Sequence, residues 1–299
     1  VTQGKGTLYV VATPIGNLED ISLRALDVLR RVAAIAAEDT RHTRKLLSRH
    51  EIHTPLESCH AHSSRQRLAR LVQRLEEGDD LALVTDAGTP AVSDPGGELI
   101  AMALERGLPV AAVPGPSAAL AALVVSGLPT HPFAFLGFAP PKGGRRKRFF
   151  ETYAHLPMTR ILYEAPGRLL RTLRDILDHW GDRRIAVARE LTKIHEEVFR
   201  GTVREALDHF ECGVRGEISL VVEGAPEPAS EREEGAWLEE LEQLLLAEGF
   251  RLKSAVGRVC ERYQVRRKEV YQAALQILKA HEEPMAETEE GSEHHGKGK

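Results

Sequence analysis

The chain has no run of about 18 apolar residues, the length a helix needs to cross a bilayer, so no membrane span is expected. Val1 to Lys5 carry no apolar signal core, which argues against secretion and for a cytoplasmic protein. Cysteine is scarce. Cys59, Cys212 and Cys260 are scattered and odd in number, so they make neither a disulfide framework nor a zinc pattern. No metal site is expected, and each cysteine reads as a small buried or half-buried residue. The common nucleotide fingerprints are missing too. There is no Gly-x-x-x-x-Gly-Lys-Ser/Thr, and no Gly-x-Gly-x-x-Gly opens a helix after the first strand. What remains, 42% hydrophobic and 28% charged residues, is the balance of a soluble globular protein. Its length leaves room for two domains and a small appendage.

Three loops share one design. Each follows a short apolar run that reads as a buried strand: Leu8–Thr13, Leu81–Thr85 and Pro109–Val113. Each is then dense in glycine, proline and small polar residues: 14–20, 86–97 and 114–119. Strands alternating with helices form parallel sheets, which bind ligands at the carboxyl ends of their strands. Glycine there lets main chain approach a ligand, and proline fixes the loop shape. The loops contain no Lys or Arg but do contain Glu19, Asp20, Asp86 and Asp94. A polyphosphate wants the opposite charge. A ligand with cationic groups and no phosphate suits them better, such as S-adenosylmethionine with its sulfonium and ammonium.

The run Tyr9 to Ser22 (YVVATPIGNLEDIS) resembles the opening of the ribosomal RNA small subunit methyltransferase I family. Further matches, in family order, are Ala37-Glu38-Asp39-Thr40-Arg41, the 86–97 loop, 113–118, and Tyr163-Glu164-Ala165-Pro166; together they cover about residues 6–225. Lys253–Leu275 resembles the family's C-terminal helical module. Departures are Gly167, where many relatives carry His, and the loosely matching 58–63 segment. The resemblance places the chain in the tetrapyrrole-methylase superfamily. It implies two α/β/α domains plus a small helical module, S-adenosyl-L-methionine as donor, and a homodimer. It also implies 2′-O-methylation of a cytidine in the decoding region of 16S ribosomal RNA, within the small ribosomal subunit.

The expected organisation is a donor-binding α/β domain over 6–127 with a parallel sheet, then a second α/β domain over 132–225. The close-set strands after Arg184 predict a mixed sheet there. A helix-turn-helix-like module follows over 235–281, and 282–299 reads as a disordered tail, polar and without aromatics. Segment 139–146 reads as a loop, with a helix starting at Lys147. Thr43–Ser48 reads as a helix, and Ser117 as the N-cap of another.

The candidate residues follow. Glu38 and Asp39 end the second strand beside Arg41 and Arg44; they could orient a ribose and a phosphate, or they could simply cap the next helix with an ion-pair cluster. A ribose hydroxyl needs a base or nearby positive charge to lose its proton, and Glu164, with Arg168 near it, is a second candidate. For the donor, the resemblance carries over onto Pro14, Gly16, Gly88, Thr89, Val92, Ser117 and Ala118. It adds Tyr163 and residues near Ala225 from the second domain. For RNA, Lys142, Arg145, Arg146, Lys147 and Arg148 place five cations in seven residues, and Arg258, Arg262, Arg266, Arg267 and Lys268 form a second basic group. The net charge of −4 does not oppose this, because the acidic residues pool elsewhere, in 231–242 and 282–293. Two other readings exist: a small-molecule or tetrapyrrole methylase, which would need neither basic group, and a non-catalytic RNA binder, which would not need the three loops.

Overall fold

The computed structural model describes residues 4–226, 231–247, 250–263 and 265–282. The chain divides into two compact units, 1–225 and 226–299. The first unit holds two five-stranded sheets. The first sheet contains β1 (Leu8–Val11), β2 (Ala34–Ala37), β3 (Leu56–Ser58), β4 (Leu81–Val84) and β5 (Val110–Val113). All its pairings are parallel, in the order β3-β2-β4-β1-β5. Parallel neighbours need crossovers, and α1 (Leu23–Arg31), α2 (Thr40–Arg49), α3 (Arg65–Glu76) and α4 (Gly97–Glu105) run between these strands.

Both faces of this sheet are covered, which is why its strands read as unbroken apolar runs. Leu26 and Leu29 of α1 and Leu46 and Leu47 of α2 pack with Ile35 and Val84. On the opposite face, Leu68, Leu71 and Leu75 of α3 and Leu99 of α4 pack with Leu81 and Leu83. Neighbouring β4 residues thus enter opposite cores, as the two-residue period of a strand requires. Ser22, Asp39 and Ser64 cap α1, α2 and α3, accepting from the amides of Ala25, Arg41 and Arg67. Such a cap contributes about 1 kcal/mol.

The second sheet contains β6 (Phe133–Phe138), β7 (Thr159–Glu164), β8 (Arg184–Arg189), β9 (Glu197–Thr202) and β10 (Ile218–Val222), in the order β6-β7-β10-β8-β9. β6 and β7 are parallel and the other pairs antiparallel, so the sheet is mixed, as expected. α6 (Gly143–Thr152), α7 (Leu169–Trp180) and α8 (Val203–His209) cover one face, where Phe150, Leu173, Ile176 and Val203 meet Leu162, Val187 and Leu220. α5 (Ala118–Val125) covers the other face, Ala122 and Leu123 packing with Ile161, Ala186 and Val221. A helix that follows the first sheet in sequence therefore completes the core of the second. Both sheets, sharing α5 in this way, fall within the unit 1–225.

Three local expectations need correction. α6 begins at Gly143, so most of the presumed basic loop is its first turns. α2 begins at Thr40, because Asp39 caps it. Ser117 occupies the N-cap position of α5 but makes no capping bond with its side chain. The short edge strand β3 was not anticipated.

The second unit contains α9 (Glu231–Glu242), a π turn over Gln243–Ala247, α10 (Leu252–Tyr263) and α11 (Arg267–Glu282). Trp237, Leu241, Val256, Val259, Val270 and Ala274 are in its core. Glu240 ties α9 to α10: it accepts from the Tyr263 hydroxyl at 2.7 Å and pairs with Arg262 at 2.9 Å. Residues 227–230, Gln264 and the expected tail beyond 282 lie outside the described residues. Among the described residues, no helix is long and apolar enough to cross a membrane.

Candidate active site

The strand order explains the three loops. β4, β1 and β5 are adjacent, so the loops that follow them lie side by side at the carboxyl edge of the first sheet. They form one wall of a cavity of about 410 Å³, to which they contribute Ile15, the 86–89 turn, Val92, Asp94, Ser117 and Ala118. Glu38, at the end of β2, extends that wall. The opposite wall comes from the second sheet: Phe138 at the end of β6, Tyr163 and Glu164 of β7, Ala188 and Leu191 at β8, and 216–219 at β10.

The turn backbone is held in shape from inside. Thr13 and Gly88 exchange both main-chain bonds, at 2.8 and 3.0 Å. Gly88 has φ +84°, a conformation that glycine adopts without steric cost. Ala91 and Ser93 also take positive φ, 67° and 64°, on either side of the turn that carries Val92. Across the cavity, the Tyr163 hydroxyl accepts from the Ala119 amide at 3.1 Å, joining the two walls.

The lining is acidic. Among the described residues it includes Glu38, Asp86, Asp94, Glu164 and Glu217 and no Lys or Arg. Two of these carboxylates are held by neighbouring donors: the Thr85 hydroxyl donates to Glu38 at 2.7 Å, and Asp86 accepts from the Asp39 amide at 3.1 Å. Burial pushes Asp94 up to about 6, reinforced by the charges of Glu38, Asp86 and Glu217. Asp86 is raised for the same first reason, burial. Burial also raises the Tyr163 phenol, and the Asp94 charge adds to it. Such a wall favours a cation over a phosphate.

The structure brings Gly88, Thr89, Val92, Ser117, Ala118, Tyr163, Glu38 and Glu164 together around this cavity. It sends other candidates elsewhere. Gly16 faces the loop after β8; a Cβ there would fall 2.5 Å from Lys193 Cγ and 2.7 Å from Thr192 Oγ1. Pro14, like Gly16, is not on the cavity lining, although Ile15 between them is. Ala225 is at the wrong end of its strand. β10 runs antiparallel to β7, with Ile218 beside Glu164, so 216–219 reach the cavity while Ala225 bonds Leu156 at the far end. Asp39 is a cap, with Arg41 as its ion-pair partner at 3.3 Å; the Arg41 hydrogen bond lowers its pKa. Arg44 is exposed on α2.

Of the basic residues near 145, Lys142, Arg145, Lys147 and Arg148 are exposed, but Arg146 is only 3% exposed. It pairs with Asp175 at 2.5 Å and lies over the Phe150 ring, so it is not available to a phosphate. Arg146 and Phe150 are four residues apart, on one helical face, and a helix started at Gly143 would have predicted this. Arg258, Arg262, Arg266, Arg267 and Lys268 are all exposed on the second unit, Arg262 being shared with Glu240. Asp86 and Asp94, Ile15, Phe138 and 216–219 are cavity residues that were not singled out as site residues. Cys212 is exposed, unlike Cys59, which is buried.

A second hollow, of about 510 Å³, lies at Arg189, Glu197 and His209. Its charges meet each other: Glu197 accepts from Arg189 at 2.5 Å and contacts His209 at 2.8 Å.

Residues 7–207 match the profile of the tetrapyrrole (corrin/porphyrin) methylases, and the two-sheet fold is that of this class. A uroporphyrin-III C-methyltransferase from Thermus thermophilus, solved with S-adenyl homocysteine, has the same fold. Its TM-score is 0.53 and its identity 21%, covering 73% of this chain and 97% of that one. Much nearer in sequence are two proteins named ribosomal RNA small subunit methyltransferase I. The one from Halalkalibacterium halodurans is 44% identical, covering 89% of this chain and 94% of its own length. The one from Pseudomonas aeruginosa is 46% identical, with coverage of 91% and 97%. The chain belongs to the ribosomal RNA small subunit methyltransferase I family.

Proposed function

We propose that the protein transfers a methyl group from S-adenosylmethionine to the ribose 2′-hydroxyl of a cytidine in the decoding region of small-subunit ribosomal RNA, acting as a homodimer. The observation that carries the donor assignment is the cavity wall of carboxylates and glycine-rich main chain without a Lys or Arg. The names of the near relatives support ribosomal RNA as the acceptor. The 2′-hydroxyl and the cytidine follow the family resemblance.

The residues fit this donor. Main chain at Gly88 is open to close approach: a Cβ placed there meets nothing nearer than Ile15 at 3.6 Å. Ser117 offers a hydroxyl that α5 does not use as a cap. Glu38, Asp86 and Asp94 supply negative charge to a sulfonium and an ammonium. The bound donor supplies an electrophilic methyl carbon. The protein's part is then largely positional, holding acceptor oxygen and methyl in line. Glu164 is occupied by protein donors on both oxygens, which leaves the carboxylates of the first wall, Glu38, Asp86 and Asp94, to take the hydroxyl proton.

The test is transfer of labelled methyl from S-adenosylmethionine to 30S particles lacking the mark, followed by nucleoside mapping. Label in one 2′-O-methylcytidine is expected. Label on a base, on a protein, or on an added tetrapyrrole alone would overturn the reading.

A further inference from the structure

Glu164 is the most enclosed carboxylate of the cavity, its side chain fully buried. Its surroundings link it to the basic helix α6 through an unbroken series of side-chain contacts. Thr172 of α7, itself fully buried, donates its hydroxyl proton to Glu164 Oε2. The Ala165 amide donates to Oε1 at 2.8 Å, and Arg168 Nε lies 3.1 Å from the same oxygen. Arg146 of α6 donates to Thr172 Oγ1 at 2.8 Å, and Asp175 holds that guanidinium from the other side, 2.7 Å from Nε. A guanidinium has no acceptor, so the Thr172 hydroxyl accepts from Arg146 and has one proton left, for Glu164. The direction of every bond is therefore set.

These two arginines, with Arg171, hold the chain that leads into α6. Arg168 donates to the Ala139 carbonyl, Arg146 to Pro140 at 3.0 Å and Arg171 to Pro141 at 3.2 Å. Three consecutive carbonyls are each fixed by an arginine, in a segment whose prolines have no N–H to offer. Phe138, on the cavity lining, immediately precedes this segment, and the exposed Lys142, Arg145, Lys147 and Arg148 immediately follow it or lie on α6.

On the reading of the site proposed above, we infer that Arg146 and Thr172 are positioning residues for methyl transfer, fixing Glu164 and the 139–141 segment so that RNA held by α6 meets the donor cavity in register. They touch neither reactant and act through Glu164 and the segment. Burying an arginine costs free energy that a hydrophobic residue would avoid. Its presence here matches a demand for fixed geometry, where misplacement by about 1 Å costs on the order of a hundredfold in rate.

The experiment compares Thr172→Val, which keeps shape and loses the hydroxyl, with Thr172→Ser, which restores it. Steady-state methylation of 30S particles and equilibrium binding of S-adenosylmethionine are measured for each. Thr172→Val is expected to lower kcat by about tenfold or more, with KM for the particle and donor Kd within about twofold, and Thr172→Ser to recover most of the loss. Arg145→Ala with Arg148→Ala should do the reverse, raising KM and sparing kcat. If Thr172→Val does not fold, Asp175→Asn replaces it: it keeps one acceptor for Arg146, and a smaller fall in kcat at unchanged KM is expected. Wild-type kcat in both Thr172→Val and Asp175→Asn, or a loss that Thr172→Ser does not recover, would overturn the inference. Absence of transfer by the wild-type protein would instead overturn the proposed function itself.

Discussion

Asp94 shows the opposed demands on a single side chain of this cavity. Its pKa is raised from 3.8 to about 6, so the folded protein holds its proton more tightly than the unfolded chain does. The stability linked to this group is therefore fully present below about pH 4 and is lost as pH rises through about 6. Donor binding has the opposite sign, since a cation needs the ionised form. Asp94→Asn is expected to raise the melting temperature at pH 7.5, by about 2 °C, while weakening S-adenosylmethionine. In the wild type, donor Kd should rise as pH falls through 6, and in Asp94→Asn that dependence should flatten. Calorimetric titration at several pH values, with parallel thermal melts, checks both. Equal affinity of the two proteins at pH 7.5 would remove Asp94 from donor binding. Asp94 was visible in the sequence as part of an acid-bearing loop. Its elevated pKa was not, because it depends on burial and on Glu38 and Glu217 arriving from other strands, beside Asp86 of its own loop.

At the scale of elements, the loops after β1 and β8 fit together through Gly16. A methyl group there would collide with Lys193 and Thr192 and come within 3.0 Å of the Leu191 carbonyl oxygen. Gly16→Ala should therefore destabilise by about 1–3 kcal/mol, the usual cost of overpacking. It should also reduce donor affinity, since Leu191 and Ile15 both line the cavity. Urea melts and donor titration measure the two effects, and an unchanged midpoint would sink the packing argument. The parallel first sheet was legible because its buried strands are unbroken apolar runs separated by amphipathic helices. β3 was not, since Leu56–Ser58 is three residues long, at an edge and only half-buried. The direction of β10 was not legible either, and its reversal carried the cavity contribution from Ala225 to 216–219. Arg146 was hidden by its neighbours: a run of cations reads as a solvated surface until the helix phase shows that one of them points inward.

For the whole molecule, cations are presented by both compact units, on α2 and α6 of the first and on α10, α11 and Arg266 just before α11 of the second. Proteins that neutralise several phosphates release counterions, so affinity falls steeply with salt. In the proposed function, replacing Arg266, Arg267 and Lys268 by alanine should weaken 30S binding and make the log–log salt slope shallower by about two to three. Donor affinity should not move. Filter binding from 50 to 200 mM salt tests this, and a slope equal to wild type would exclude these residues from phosphate contact.

The cation-free lining also bears on turnover. Giving up the methyl group converts a sulfonium into a neutral thioether, so the spent cofactor leaves with one positive charge fewer than it brought. In the proposed function, walls built from Glu38, Asp86 and Asp94 would hold the incoming molecule through a charge that the reaction itself erases, so that exchange of product for fresh donor would follow from the chemistry just completed.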